Sequence, residues 1–221
     1  TFRAALTGGF LFRLGIGALP FLLPLMLQLG FGMTPFQSGL LTFATAVGAL
    51  GMKTVAARII GRFGFRPVLI LVGVVSAVFL AACGAFTPAT PLSVIFLVLL
   101  VGGFFRSLQF TSINTIAYAE VDARELSRAT SLMAVSQQLA ISAGVAVGAL
   151  VVESTLRWKG ASAISAGDFG PAFVVVAAIS ASSVLLFARL PRDAGSEMSG
   201  HVPASAAEPV AAGETSDQKI A

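Results

Sequence analysis

LSVIFLVLLVGGFFRSLQFTSINTIAYA, Leu92–Ala119, decides the fold. A bilayer core about 30 Å thick is crossed by a helix of roughly 20 apolar residues. This run is longer than that and carries a single charge, Arg106, near its middle. The chain around it has 221 residues, of which 56% are hydrophobic and 11% charged, with mean hydropathy +0.91. Soluble domains carry about 25% charged residues, so one water-facing globule cannot hide these side chains. The composition is that of an integral membrane protein.

Working outward, five further apolar runs are long enough to cross. The six predicted spans are Ala5–Leu29, Ser38–Ile60, Val68–Phe86, Leu92–Ala119, Leu132–Val152 and Pro171–Leu190. Pro20 and Pro24 fall inside the first, where each removes a backbone donor and favours a kink. Residues 1–190 are therefore expected to form a six-span bundle. Residues 191–221, rich in Ala, Ser, Gly, Pro and acids, cannot bury enough surface to offset their ordering entropy and are expected to be a disordered tail.

Through Leu190 there are twelve Lys/Arg against five Asp/Glu, whereas the tail has two against five. The positive charge lies in short loops between spans, which is a topology signal rather than a nucleic-acid surface. One side receives Arg3, Arg58, Arg62, Arg66, Arg124, Arg128, Arg189, Arg192 and Lys219; the other receives Arg157 and Lys159. Six spans put both termini on one side, and this bias makes that side cytoplasmic. No signal peptide is expected, because no basic n-region or small-residue cleavage site precedes the first apolar run.

The candidate chemistry is polar side chains within the spans. An arginine at mid-bilayer costs about 2.5–3.5 kcal/mol on insertion scales and ordinarily faces a water-filled cavity or a partner. Arg106 is expected to face a cavity; for Arg13 a cavity and a structural pairing stand equal. Lys53 is read as reaching out to the cytoplasmic surface along its flexible stem. Ser107, Thr111, Asn114 and Tyr118 recur at helical spacing and form one face, with Gln109 beside it. Gln137 and Gln138 are either cavity-facing or packed. Ala140, Gly144 and Gly148 make a small-residue ridge that admits another backbone. GGFLFR (Gly8–Arg13) and GGFFR (Gly102–Arg106) lie in the first and fourth spans. These are corresponding members of two oppositely directed triplets, the pattern of an inverted repeat.

No Ser/His arrangement, Asp pair or HExxH lies in the spans, which argues against an enzyme. Single Cys83 reads as a packing residue, and His201, in the tail, is expected to hold no metal. No cofactor is called for.

Four blocks resemble a known family: ALPFLLPLMLQLGFGMTPFQSGLL (Ala18–Leu41), AARIIGRFGFRP (Ala56–Pro67), FFRSLQFTSINTIAYAEV (Phe104–Val121) and SRATSLMAVSQQLAISAGVAVG (Ser127–Gly148). They are similar to the C-terminal half of a major facilitator superfamily transporter, in the fourteen-span drug:proton antiporter branch. The resemblance implies the last six spans of a longer transporter working by alternating access, with the N-terminal half of the polypeptide as partner. The family's cytoplasmic signature falls on Ala57–Arg66, where Gly64, Arg62 and Arg66 fit but the acidic position is Gly61. The resemblance thus implies a cytoplasmic gate or topology role for Arg58, Arg62, Gly64 and Arg66, opposite Glu120, Asp122 and Glu125.

The expected function is proton-driven efflux of small molecules or drugs across a bacterial inner membrane. Its pathway would be lined by Arg13, Arg106, Gln109, Thr111, Asn114, Tyr118, Gln137 and Gln138. No carboxylate lies deep in a span, so the proton-carrying group is assigned to the other half. A permease or exporter of anionic metabolites on the same fold, and a non-transporting scaffold, are the alternatives.

Overall fold

A computed structural model describes residues 2–119, 121–122, 124–160, 164–191 and 194. The predicted tail, apart from Pro191 and Ala194, lies outside the described residues, as does Glu120. Every regular element described is helical: α1 (Phe2–Gly17), α2 (Leu19–Leu25), a π-helical turn (Met26–Gly30), α3 (Pro35–Lys53), α4 (Ala56–Phe63), α5 (Phe65–Cys83), α6 (Leu92–Tyr118), α7 (Leu126–Lys159), a 3-10 turn (Ala166–Asp168) and α8 (Gly170–Phe187).

Local sequence explains the breaks. The first span stays continuous over Phe2–Gly30 but changes winding twice. Pro20 stands in the first turn of α2, where its missing N–H costs least. Pro24 lies inside α2, and the chain then widens to π-helical winding, so that the N–H of Phe31 reaches the Met26 carbonyl at 3.1 Å. Thr34 starts α3 with a capping box: its hydroxyl accepts from the Gln37 N–H, and the Gln37 side chain accepts from the Thr34 N–H. Gly64 at φ 78° and Gly160 at φ 61° end α4 and α7 in backbone conformations that side chains resist.

One predicted span differs. Ser38–Ile60 is not a single helix: α3 ends at Lys53, and α4 leaves at 57°. The short α4 buries Ala56 and Ile60 while exposing Arg58 and Arg62. Its amphipathic pattern suits a surface, whereas a straight continuation would have carried those arginines onward with the span. Among the described residues five helical stretches are long and apolar enough to cross a membrane, and the α3–α4 pair, taken as one bent span, makes a sixth. At 34 residues, α7 outruns its predicted boundaries at both ends.

The bundle is an inverted repeat of two triplets, α1–α2/α3/α5 and α6/α7/α8. The main pairings are α3 with α6, α1 with α7, α1 with α8 and α5 with α6, along with α5 against α8. Exchanging first with fourth, second with fifth and third with sixth span leaves that set unchanged. Glycines fix the register. A Cβ on Gly48 would overlap the Leu100 carbonyl and crowd the Phe104 nitrogen; one on Gly144 would overlap the Leu14 carbonyl and crowd the Ala18 nitrogen. Likewise Gly103 lies against Thr45 and Gly17 against Ile141. Leu14, Gly17 and Ala18 are thus the twins of Leu100, Gly103 and Phe104, each 86 positions earlier in the chain.

This register corrects the arginine echo. Arg13 is the positional twin of Leu99, and the twin of Arg106 is Pro20. The repeat is real, but the resemblance of the two GGF-R segments does not mark it.

Buried apolar side chains form two clusters. One gathers Leu22, Leu23, Met26, Phe169 and Phe173 towards the π-helical turn. The other gathers Phe12, Phe65, Ile113, Ile116 and Phe187 towards the opposite end. Ile16 packs against both, at the level where the functional site opens.

Candidate functional site

Arg106 stands at the meeting point of three recesses. The largest, about 380 Å³, is walled by α1, α3, α6 and α7 and includes Arg13, Lys53, Ser107, Phe110 and Thr111. The second, about 320 Å³, runs towards the other end of the bundle between α2 and α3, past Pro24, Gly39, Thr42 and Thr45. Pro20 and Arg106 line both. A third space of about 20 Å³ lies behind Arg106, against Ser76 and Cys83. That is room for one water, and the Ser76 hydroxyl is buried there without a protein partner.

The register of the walls is set locally. Ser107 donates from Oγ to the Ala49 carbonyl at 3.1 Å, tying α6 to α3 one helical turn before Lys53. The bend after Thr54 makes Lys53 a member of the last turn of α3. Lys53 is exposed and lines the larger recess. The expected longer span is what the structure corrects: the helix ends at Lys53, where the sequence alone continues it.

Arg13 has different surroundings. It is 2% exposed, donates from Nη2 to Asn114 Oδ1 at 2.6 Å, and lies with Cζ 5.0 Å from the Phe110 ring centroid. Its Nε and Nη1 are buried without partners among the described residues. The guanidinium is thus held by one amide and one aromatic face. Asn114, expected along the pathway, holds Arg13 in place instead.

Gln109 departs furthest from expectation. It is fully buried, and its Nε2 donates to the Leu69 carbonyl at 3.0 Å, on the side of α6 that packs against α5. It joins two helices and does not reach the recess. Thr111 lines the larger recess. Tyr118 is half-buried in the last turn of α6, Gln137 is half-buried and Gln138 exposed on α7; none of these three lines a recess.

At the opposite end from the π-helical turn, Arg58 and Arg62 are exposed, the latter with Cζ 5.8 Å from the Phe63 ring centroid. Gly64 makes the reversal between α4 and α5. Arg66 donates from Nη2 to the Ala188 carbonyl at 2.8 Å, at the C-terminal end of α8, where a helix dipole favours a cation. Asp122 and Glu125 are exposed, and among the described residues neither pairs with Arg58, Arg62 or Arg66. Arg66 thereby clasps α5 to the end of α8.

The site's other wall residues were not singled out by sequence. Phe12, Phe110 and Ile141 are apolar residues in an apolar chain, and Pro20, read from sequence only as a kink, becomes a wall residue once the recesses and the 86-residue register are seen.

An inverted three-plus-three helical repeat, with recesses meeting at a mid-depth arginine, defines a secondary transporter fold. The sequence profile of the Major Facilitator Superfamily matches residues 5–213, and the chain belongs to that family. Curated relatives carry the name "Putative multidrug resistance protein MdtD". The one from Pectobacterium carotovorum is 34% identical over 200 residues, covering 87% of this chain and 42% of the relative. That from Citrobacter koseri is 34% identical over 205 residues, covering 87% and 41%. That from Serratia proteamaculans is 31% identical over 195 residues, again covering 87% and 41%. The chain thus spans about two fifths of the length of the curated relatives it matches. No solved structure matches it.

Proposed function

We propose that this chain forms one half of an alternating-access transporter that moves small organic molecules outward across a bacterial inner membrane, driven by the proton gradient. One observation carries the reading: Arg106 and its twin Pro20 line both a recess running towards one end of the bundle and a recess running towards the other. A group so placed is reachable from either side as a facing half rocks. The name borne by the curated relatives supports an efflux direction. The partner is a second six-span half facing these recesses, which also supplies the proton-carrying carboxylate. No cofactor is required.

The experiment is proton-gradient-dependent flux of a compound panel in vesicles containing the natural polypeptide that carries this chain. Arg106→Ala is expected to cut flux at least tenfold while membrane abundance stays near that of the parent. Unchanged flux would remove Arg106 from the pathway, and a parallel loss of abundance would make it a structural residue. On this reading both termini lie in the cytoplasm. Cysteine at Glu125 should resist impermeant thiol reagents in intact cells, whereas cysteine at Ala89 should label; the opposite pattern inverts the orientation.

A further inference from the structure

The walls of the larger recess are uneven in charge. Three cationic residues, Arg13, Lys53 and Arg106, line it, and among the described residues no carboxylate does. Among the described residues neither Arg106 nor Lys53 has an acidic partner. Arg13 is satisfied at one nitrogen only and keeps two buried, unpartnered N–H positions beside the space. Between the cations the wall is apolar, with Phe12, Ile16, Phe110 and Ile141. Cations gathered in a recess with low-dielectric walls focus a positive potential into it, attracting anions and repelling other cations. At about 380 Å³ the recess falls in the range of small-molecule sites.

We propose that this recess binds an amphipathic organic anion, its carboxylate or sulfonate between Arg106 and Lys53 and its apolar body against Phe12 and Phe110. The proposal rests on the transport reading above and gives its substrate a class. The planar guanidinium of Arg106 takes two oxygens of such a headgroup side by side, while Lys53, on a flexible stem, follows as a point charge. The buried Arg13 contributes charge without needing to move.

The probes are naphthalene-2-sulfonate and naphthylmethylammonium, which share a ring system and differ in charge. Their binding to the detergent-purified natural polypeptide is measured by equilibrium dialysis at two salt concentrations. The sulfonate is expected to bind at least tenfold more tightly than the ammonium ion, and less tightly in high salt. Lys53→Gln and Arg106→Gln should each weaken sulfonate binding roughly tenfold, and Lys53→Glu should shift the preference towards the ammonium ion. Lys53 is exposed at a helix end, so its variants test the charge without threatening the fold. Preference for the ammonium ion, equal affinity, absence of binding, or sulfonate binding indifferent to Lys53 and Arg106 would each overturn the anion proposal. Arg106-dependent flux of a cation would overturn it too, while leaving the transport reading standing.

Discussion

The two triplets share a backbone and differ in chemistry. Gly48 lets α3 touch α6 as Gly144 lets α7 touch α1, and the same offsets relate the atoms on either side. At the equivalent mid-depth position, however, one triplet carries Arg106 and the other Pro20. The first offers a charge and hydrogen-bond donors to the recess; the second has no backbone N–H and stands where its helix restarts. Close packing has kept the repeat symmetrical where a Cβ would collide. The recess, where nothing collides, has been free to become one-sided.

The largest expected effect tests the sameness. Gly48→Val and Gly144→Val each push side-chain atoms into a facing carbonyl that belongs to helix backbone and cannot retreat alone. Each should cost about 3 kcal/mol or more, seen as near-complete loss of detergent-stable protein on size-exclusion chromatography. If one variant collapses and the other behaves like the parent, the equivalence of the crossings fails.

A smaller effect sharpens the contrast between the arginines. Asn114→Ala removes the hydrogen-bond partner of a buried guanidinium, at about 1.5–3 kcal/mol, and should lower the apparent melting temperature by several degrees. Arg106→Ala, with no hydrogen-bond partner among the described residues, should shift it much less. Equal shifts would mean that both arginines are structural.

The smallest effect concerns the other twin. Pro20→Ala restores a backbone donor at a helix start and should change stability by less than about 1 kcal/mol, with flux retained to within a few-fold. A loss of flux as deep as that of Arg106→Ala would make the helix break, rather than the charge, the shared requirement of the two triplets.

Much of the fold was legible because hydrocarbon imposes length and apolarity on every crossing. Leu92–Ala119 was predicted to within one residue of α6, and the ridge of Ala140, Gly144 and Gly148 is buried as its small residues implied. The break after Lys53 was not legible. Met52–Ile60 contains neither proline nor a strong turn signal, and the apolar count continues across it. Within the site, depth alone identified Arg106 as exceptional. Which face of α6 each polar residue occupies depends on neighbours: Gln109 and Thr111 are two positions apart, one bonded to the α5 backbone and the other beside the recess. Lys53 could be located only after the bend was seen.

The length of α7 has a consequence for the surrounding lipid. Its 34 residues, at ~1.5 Å each, make a rod of about 51 Å. Even inclined at 40°, the upper end of the usual range, it would span about 39 Å along the bilayer normal, more than the ~30 Å hydrocarbon core. Both ends must therefore stand among the headgroups, where Arg128 at one end and Arg157, Trp158 and Lys159 at the other are exposed. The innermost charges of α7, Arg128 and Glu153, stand about 37 Å apart along its axis. At the average tilt of about 20°, a membrane a few ångströms thinner or thicker therefore slides its boundary along the helix without drawing a charge into hydrocarbon. α7 carries its own allowance for bilayer thickness, whereas α5, with 19 residues, has none, so a series of vesicles of graded acyl-chain length should disturb α5 before α7.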